Sequence, residues 1–134
     1  MIQHLAAQMD GNRRWALSNK LAAVHGHRKG VDTVERIAAF CLEKKIPYLS
    51  LYTFSLENVN RSEQEKNYLF DLMVEGADRV LKTAIEKGVR IRFLGQRSLF
   101  PDHVRAVCEK LESATASFKN LNLNFLFFMG RSKK

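Results

Sequence analysis

The sequence predicts an α/β fold with a mainly parallel sheet and helices on both faces. Short apolar runs, which are typical of buried strands, alternate along the chain with longer stretches whose apolar residues recur at helical spacing. Strands that alternate with helices are joined by crossover connections, and such connections place the strands parallel to one another. No internal repeat or linker divides the chain, so we expect residues 1–134 to form a single domain.

The predicted elements follow one another in a simple order. Strands are expected at residues 4–9, 48–54, 89–94 and 121–128. Between them lie a short helix from Asn12, a helix over residues 28–45, a long helix that ends at Gly88 and a helix that Pro101 opens. The long helix has a continuous apolar face that extends to Ile85, and the last helix is expected to carry Phe118 on its inner face.

Composition indicates an ordinary globular protein rather than a membrane or secreted one. Hydrophobic residues make up 46% of the chain and charged residues 27%. No stretch approaches the roughly 20 apolar residues of a membrane-spanning helix, and the N-terminus lacks the pattern of a signal peptide. We therefore expect a cytoplasmic location. Cys41 and Cys108 fall on the apolar stripes of two predicted helices, which favours buried free thiols over a disulfide or a metal site.

The net charge of +8 indicates an anionic partner. Charge alone fits nucleic acid, anionic lipid or small phosphates. A recognisable nucleic-acid-reading motif is missing from the sequence, so we expect no nucleic-acid partner.

The loop after the first strand reads Met-Asp-Gly-Asn-Arg-Arg-Trp and begins with Met9. Asn12 can cap the following helix, and Arg13 and Arg14 then fall in its first turn, where the helix dipole disfavours cations. A bound anion would explain that placement, since free N–H groups and guanidinium groups would hold it together. From the residues alone, a helix tip that the arginines merely solvate explains the loop equally well.

Three blocks of sequence together resemble the cis-prenyltransferase family, which includes undecaprenyl diphosphate synthases. The first is the Met-Asp-Gly-Asn-Arg-Arg-Trp loop, the second is Gly26-His27-x-x-Gly30, and the third runs from Tyr52 to Arg61. The family carries similar blocks in the same order and at similar spacing. The resemblance implies the amino-terminal part of the family's α/β fold.

The resemblance also implies a reaction. The family condenses isopentenyl diphosphate onto an allylic diphosphate, with cis geometry and Mg²⁺, to make polyprenyl diphosphate. Asp10 would hold the metal on the allylic diphosphate and assist its departure, and Asn58 would help to remove a proton from the isopentenyl unit. The other motif residues would bind substrate: Gly11, Asn12, Arg13, Arg14, Trp15, His27, Ser55, Glu57 and Arg61.

Blander roles remain open for several of these residues. His27 could cap or precede a helix, Asn58 could make an Asx turn, and Arg61 could lie at the surface. The apolar product needs a slot, and the small residues Gly76, Ala77 and Ala84 of the long helix either leave that room or simply pack closely against the sheet.

The chain departs from the family pattern most clearly at its end. After Phe128 the family continues with a region that supplies further substrate and metal ligands and much of the dimer contact, whereas this sequence ends at Lys134. The domain is therefore expected to be an incomplete one. Three interpretations of its function stay open. The chain is an active transferase, an inactive paralogue that keeps a diphosphate-binding loop, or a subunit that pairs with itself or with a full-length relative. Contact with a membrane would be peripheral, through the lipid product.

The same departure predicts low stability. If the strand at residues 121–128 lay at the margin of the sheet, its large apolar side chains would be exposed, and each contributes about 1.5–3 kcal/mol when it is buried. We therefore expect an aggregation-prone or partner-dependent chain.

Overall fold

The computed structural model of the protein describes residues 2–8, 23–55 and 63–129. Its elements are β1 (His4–Gln8), α1 (Ala23–Lys44), β2 (Tyr48–Ser55), α2 (Glu63–Lys87), β3 (Val89–Gly95), a short 3₁₀ turn (Arg97–Leu99), α3 (Asp102–Thr115) and β4 (Leu121–Met129). Each strand and each α-helix agrees within a few residues with a predicted element, whereas the 3₁₀ turn was not predicted. The short helix predicted from Asn12 lies outside the described residues.

The described strands form a parallel sheet in the order β1-β2-β4-β3. This confirms the α/β class and the parallel sheet. The last strand, β4, lies inside the sheet between β2 and β3, so the expectation that it would be an exposed edge is wrong. Leu126 is 8% exposed and Phe127 is fully buried. A run of apolar residues predicts burial of a strand, but it does not say between which neighbours the strand inserts.

The core lies on one face of the sheet, which we call the core face. It is formed by the odd-numbered strand residues, among them Leu49 and Ile91, and these pack against buried residues of the described helices such as Ala38, Ala84 and Val104. Of the described helices, α1 and α2 share this face. The steps from β1 to β2 and from β2 to β3 cross the sheet in the same direction, and right-handed crossovers in one direction put their helices on one side.

The step back from β3 to β4 runs in the opposite direction, yet α3 does not cover the opposite face. It lies along the outer edge of β3 and packs on α2. Its buried residues include Val104, Cys108 and Leu111, as predicted, but the helix ends at Thr115. Phe118 therefore follows α3 and does not belong to its inner face. Ile85 of α2 is 50% exposed and so lies outside the buried stripe of that helix, to which the neighbouring Ala84 belongs.

Side chains of α3 close the free edge of β3. The hydroxyl of Thr115 accepts the Ile91 N–H at 2.9 Å, and Glu112 Oε2 accepts the Phe93 N–H at 2.8 Å. Arg97 pairs with the same Glu112 carboxylate and donates to the Phe93 carbonyl oxygen at 2.9 Å. Because these outward backbone groups already have partners, β3 cannot readily pair with a further strand.

An ion-pair cluster joins α1 to α2. Arg79 donates to Asp32 at 2.5 Å and to the Glu35 carboxylate at 2.7 and 3.2 Å, and the Thr83 hydroxyl donates to Glu35 at 2.7 Å. Burial by itself would raise the pKa of Glu35. The hydrogen bonds from Arg79 and Thr83, with the charge of Arg79, outweigh burial and hold that pKa below its ordinary value. The cluster stabilises the fold while Glu35 is ionised.

Replacing Thr115 with valine should destabilise the protein by about 1–3 kcal/mol, because the buried Ile91 N–H would lose its acceptor while the shape of the side chain is kept. Urea denaturation measures the change, with the exposed Ser117→Ala variant as control. A loss for Thr115→Val no larger than that of the control would contradict the proposed closure of the β3 edge.

Replacing Glu35 with glutamine should lower stability in a pH-dependent way. Since the folded-state pKa of Glu35 lies below its unfolded value, the carboxylate stabilises the fold above the unfolded pKa, and this contribution is lost as pH falls through the folded pKa. We expect the urea midpoints of parent and variant to differ at neutral pH and to converge as the pH falls through the folded-state pKa of Glu35. Glu43→Gln, at an exposed position of α1, is the matched control. A difference that does not vary with pH would contradict the assignment.

Candidate functional site

The carboxyl ends of the strands lie along one edge of the sheet, because all the described strand pairs are parallel. The last residue of β2, Ser55, lies beside Met129 of β4. Gly95, which ends β3, lies beside Phe127 of the same strand. The strand ends therefore form a common rim of the sheet. In open α/β sheets, ligands bind at this edge.

The segment that contains Asp10 and the segment that contains Glu57 start from neighbouring strands. β1 ends at Gln8, just before Asp10, and β2 ends at Ser55, just before Glu57. β1 and β2 pair directly, at the usual separation of about 4.8 Å. The pairing thus brings the points from which both motifs leave the sheet next to each other.

Most of the predicted site residues lie outside the described part of the chain, and their roles stay predictions. These residues are Asp10, Gly11, Asn12, Arg13, Arg14, Trp15, Glu57, Asn58 and Arg61. Of the two others, Ser55 ends β2 and His27 lies within α1, and only their backbone is described. Because α1 begins at Ala23, His27 is part of the helix and does not precede it.

Two arginines near the end of β3 are used by the fold itself. Arg97 pairs with Glu112 and donates to the Phe93 carbonyl oxygen, and Arg105 donates to the carbonyl oxygens of Arg97 and Phe100. We therefore assign both guanidinium groups to structure rather than to substrate. The sequence indicates that Arg97 directly follows the third strand, but it does not indicate that Arg97 pairs with Glu112 of α3.

Gly95 is required by a close approach at the same end of β3. Its φ is +141°, in the region that favours glycine, and a Cβ atom there would collide with the backbone of Phe127. Any larger residue would push β3 away from β4 at the carboxyl edge. The glycine therefore keeps the rim of the sheet closed at this point.

A cleft lies between α1, α2 and the core face. Its walls are mostly apolar and come from Val34, Ala38, Ala39, Leu42, Val80, Ala84, Val89 and Leu123, with Glu35, Thr83 and Lys87 as its polar residues. The enclosed space is about 30 Å³, roughly enough for one water molecule. An apolar chain could enter only if the two helices moved apart.

The small residues of α2 contribute unequally to the cleft. Ala84 of α2 lines it, as the small-residue stripe indicates, whereas Gly76 and Ala77 are buried but do not contribute to its wall. The opposite wall, from α1, was missed. The sequence feature that could have indicated this wall is the i, i+4 pair of Val34 and Ala38, which places two small apolar side chains on one face of the helix.

Other kinds of site find no support in the described part of the chain. Within it, no group of three or more histidine, cysteine, aspartate and glutamate side chains could hold a metal ion. No described helix is both long and apolar enough to span a bilayer. Cys41 and Cys108 are buried, as predicted, and burial raises the pKa of both thiols, that of Cys108 to about 12. Neither thiol is therefore disposed to react as a thiolate.

Known proteins match the sequence over almost its whole length. A family model described as "Putative undecaprenyl diphosphate synthase" matches residues 8–133. The isoprenyl transferase of Heliobacterium mobile is 44% identical over 122 residues, which are 91% of this chain and 47% of that protein. The isoprenyl transferase of Listeria monocytogenes is 39% identical over 132 residues, 98% of this chain and 52% of that protein. The chain thus spans about half the length of the curated relatives it matches.

Solved structures share the fold. Lavandulyl diphosphate synthase from Lavandula x intermedia, in complex with dimethylallyl diphosphate, matches with a TM-score of 0.82 over 95% of this chain and 55% of that one. Its 22% identity shows the fold alone. A probable undecaprenyl diphosphate synthase from Campylobacter jejuni matches with a TM-score of 0.77 at 30% identity, over 96% of this chain and 55% of that one. Sequence and fold together show that the chain belongs to the undecaprenyl diphosphate synthase family of cis-prenyltransferases.

Proposed function

We propose that this chain takes part in cis-prenyl transfer, in which isopentenyl diphosphate is condensed onto an allylic diphosphate to lengthen a polyprenyl diphosphate. One observation carries the proposal. The direct pairing of β1 and β2 starts the Asp10 and Glu57 segments from adjacent points of the ligand-binding edge. Membership of the family supports the reaction type.

In this proposal the segment after β1 binds the allylic diphosphate. Backbone N–H groups near Gly11 and Asn12 and the guanidinium groups of Arg13 and Arg14 would hold phosphate oxygens, with Trp15 completing the turn. Charge-assisted hydrogen bonds of this kind stabilise the diphosphate as it leaves the allylic carbon. His27 and Ser55 would contact the substrates from α1 and from the end of β2.

The segment after β2 would serve the second substrate. Arg61 would bind the diphosphate of the isopentenyl unit, and Asn58, supported by Glu57, would help to remove the proton that is lost when the new carbon–carbon bond forms. The two segments must face each other across the carboxyl edge, since the allylic carbon and the isopentenyl double bond react only when they are held in contact.

Magnesium is the cofactor that this chemistry requires. Mg²⁺ typically binds through one or two carboxylates together with substrate phosphates, and the single carboxylate of Asp10 beside a phosphate-binding turn fits that preference. When bound, the ion would neutralise charge that develops on the departing diphosphate. Asp10 would hold it and keep it next to the arginines.

The growing apolar chain would occupy the cleft between α1 and α2. The cleft has the right lining, but its space of about 30 Å³ is far too small for a prenyl chain. Entry therefore requires the helices to separate, which would stretch the contacts of Arg79 with Asp32 and Glu35. The Arg79–Asp32 pair is exposed and contributes little stability, whereas separation of the helices would also give up the partly buried contacts of Glu35.

A second function is favoured by the share of the relatives that the chain spans, about half. The chain would then bind an allylic diphosphate without turnover, as an inactive paralogue or as a subunit paired with itself or with a full-length relative. In either case we propose a cytoplasmic location, with peripheral membrane contact through the lipid.

Turnover is tested by incorporation of radiolabelled isopentenyl diphosphate with farnesyl diphosphate and Mg²⁺. We expect elongated product, and we expect Asp10→Ala to lower the rate at least about a hundredfold, because metal and leaving group would lose their anchor. Asp78→Ala, at an exposed carboxylate of α2, is the control and should retain activity. Turnover that survives Asp10→Ala would refute the role of Asp10, and no turnover under any condition would favour the second function.

Calorimetry tests whether the chain binds diphosphates at all. With Mg²⁺ present, farnesyl diphosphate should bind saturably below the millimolar range and more tightly than inorganic pyrophosphate, because only the former can use an apolar cleft. Asp10→Ala should weaken both ligands and Asp78→Ala neither. Equal affinity for the two ligands would exclude the cleft as the site of the chain, and no saturable binding would exclude both functions.

A further inference from the structure

The described strands begin along the edge of the sheet that lies opposite the carboxyl edge, and the described helices end there. We call this the amino edge, and it comprises residues 2–4, 44–48, 86–89 and 116–122. Backbone hydrogen bonds join its turns. The Asn122 N–H donates to the Pro47 carbonyl oxygen at 2.9 Å, and the Asn120 N–H donates to that of Gly88 at 3.0 Å. The turns therefore form one continuous surface.

Positive charge is concentrated at the amino edge. Its exposed lysine side chains are those of Lys44, Lys45, Lys87 and Lys119. Glu86 lies among them and Glu43 lies next to them, so lysines outnumber carboxylates at this edge. The ion pairs between described residues do not involve these lysines. Helix dipoles account for a lysine in the last turn of α1 and of α2, but not for Lys119, which lies four residues beyond the end of α3.

Lys45 has a backbone conformation that normally favours glycine. It directly follows α1 with a φ of +59°, and the next N–H, that of Ile46, closes the helix by donating to the Cys41 carbonyl oxygen at 2.9 Å. The residue at the same place after α2 is Gly88, with a φ of +73°. A lysine in this conformation is less stable than a glycine. A use for its charge explains its presence better than the fold does.

Large apolar side chains are exposed beside the lysines. Four of the seven that the described residues expose belong to this end of the sheet: Ile2, Phe40, Tyr48 and Ile85, at 45–56% exposure. Phe40 and Ile85 precede the last residues of their helices by four and two positions, or about 6 and 3 Å along the helix axis. Lysines combined with aromatic and aliphatic side chains at this depth are typical of surfaces that bind the headgroup region of a bilayer.

The cleft between α1 and α2 reaches the same edge. Its walls extend from Val34 and Val80, within the two helices, to Leu42, Lys87 and Val89, where the helices end and β3 begins. Lys87 thus belongs both to the cleft and to the amino edge. An apolar-walled space that ends at a basic surface favours a partner with anionic headgroups and apolar tails. A nucleic acid, whose phosphates would use only the lysines, fits less well.

We infer that the amino edge docks the protein on the surface of an anionic phospholipid bilayer. The four lysines would contact the phosphates of the headgroups, and Phe40 and Ile85 would enter the boundary between headgroups and acyl chains. Because the two edges lie at opposite ends of the strands, the carboxyl edge would face the water. Diphosphates dissolved in that water would reach it freely.

Only one consequence of the docking rests on the proposed function. If the cleft holds the growing prenyl chain, the apolar end of that chain would meet the bilayer at the amino edge and could enter it without crossing water. Binding to vesicles needs neither substrate nor turnover. A protein that binds vesicles but has no activity would therefore sink the proposed function alone, and an active protein that does not bind them would sink this inference alone.

Vesicle flotation tests the docking with the whole chain. We expect binding at low salt to vesicles of phosphatidylcholine that contain about 30% phosphatidylglycerol. Binding should be at least about tenfold weaker to pure phosphatidylcholine, and similarly weaker when the salt is raised to about 0.5 M. Equal binding to both kinds of vesicle, or binding to neither, would overturn the inference.

Paired substitutions test which charges are used. Lys45→Gln with Lys119→Gln should weaken binding at least about tenfold, because each lysine near an anionic surface contributes a factor of about five. Arg36→Gln with Lys110→Gln removes the same charge from exposed positions of α1 and α3 away from the amino edge, and should weaken binding less than about threefold. Equal losses would show that net charge alone attracts the protein, against the assignment of this edge.

The variant Lys45→Gly separates docking from folding. It should weaken binding about fivefold, while the thermal midpoint of unfolding stays the same or rises, because glycine adopts a φ of +59° without strain. Unchanged binding of this variant would count against the role of Lys45.

A polarity-sensitive dye reports which edge meets the lipid. Ile85→Cys places a thiol beside the amino edge and Leu94→Cys places one at the carboxyl edge, at positions that are 50% and 41% exposed. The native cysteines are buried and have raised pKa values, so they should label slowly. On anionic vesicles the emission of the dye at position 85 should shift to shorter wavelength, and that at position 94 should not. A shift at position 94 as large as that at position 85 would overturn the proposed orientation.

Discussion

The insertion of β4 between β2 and β3 is the constraint on which the rest of the structure depends. β4 pairs with both neighbours along most of its length and sets Leu49 and Ile91 on either side of Leu123. These side chains are almost fully buried. A shift of one residue in the register of a strand would turn its buried side chains to the opposite face of the sheet. The described core is therefore complete only when β4 has inserted between β2 and β3.

The strand order then decides where the helices lie. Because the two crossovers before β3 step in one direction, α1 and α2 share the core face and enclose a cleft between them. The return to β4 brings α3 to the outer edge of β3, where Thr115 and Glu112 occupy its free N–H groups. One side and one edge of the sheet are thus closed by the chain's own helices. The opposite face carries polar side chains such as Ser50 and Arg92, together with the buried Leu126.

The same arrangement separates structural charges from those available for chemistry. Arg97 and Arg105 hold the loop after β3, and Arg79 bridges the two helices that wall the cleft. These three guanidinium groups thus serve the fold, and in the proposed reaction an anionic substrate would depend on the arginines of the motif segments. The cleft holds about 30 Å³, roughly the volume of one water molecule. A ligand could enter it only if α1 and α2 moved apart and their ion pairs broke.

The sequence by itself determined the elements, the parallel sheet and the family, because each depends on local periodicity or on motifs whose residues are close in the chain. It placed Ala84 on the apolar side of α2, since helical spacing fixes which side of that helix is apolar. Only the tertiary structure decided that β4 is an inner strand, that α1 forms the other wall and that Arg97 is paired with Glu112. These facts depend on which distant elements become neighbours. A hydrophobic pattern indicates that a residue is buried, but strand order and handedness decide what it is buried against.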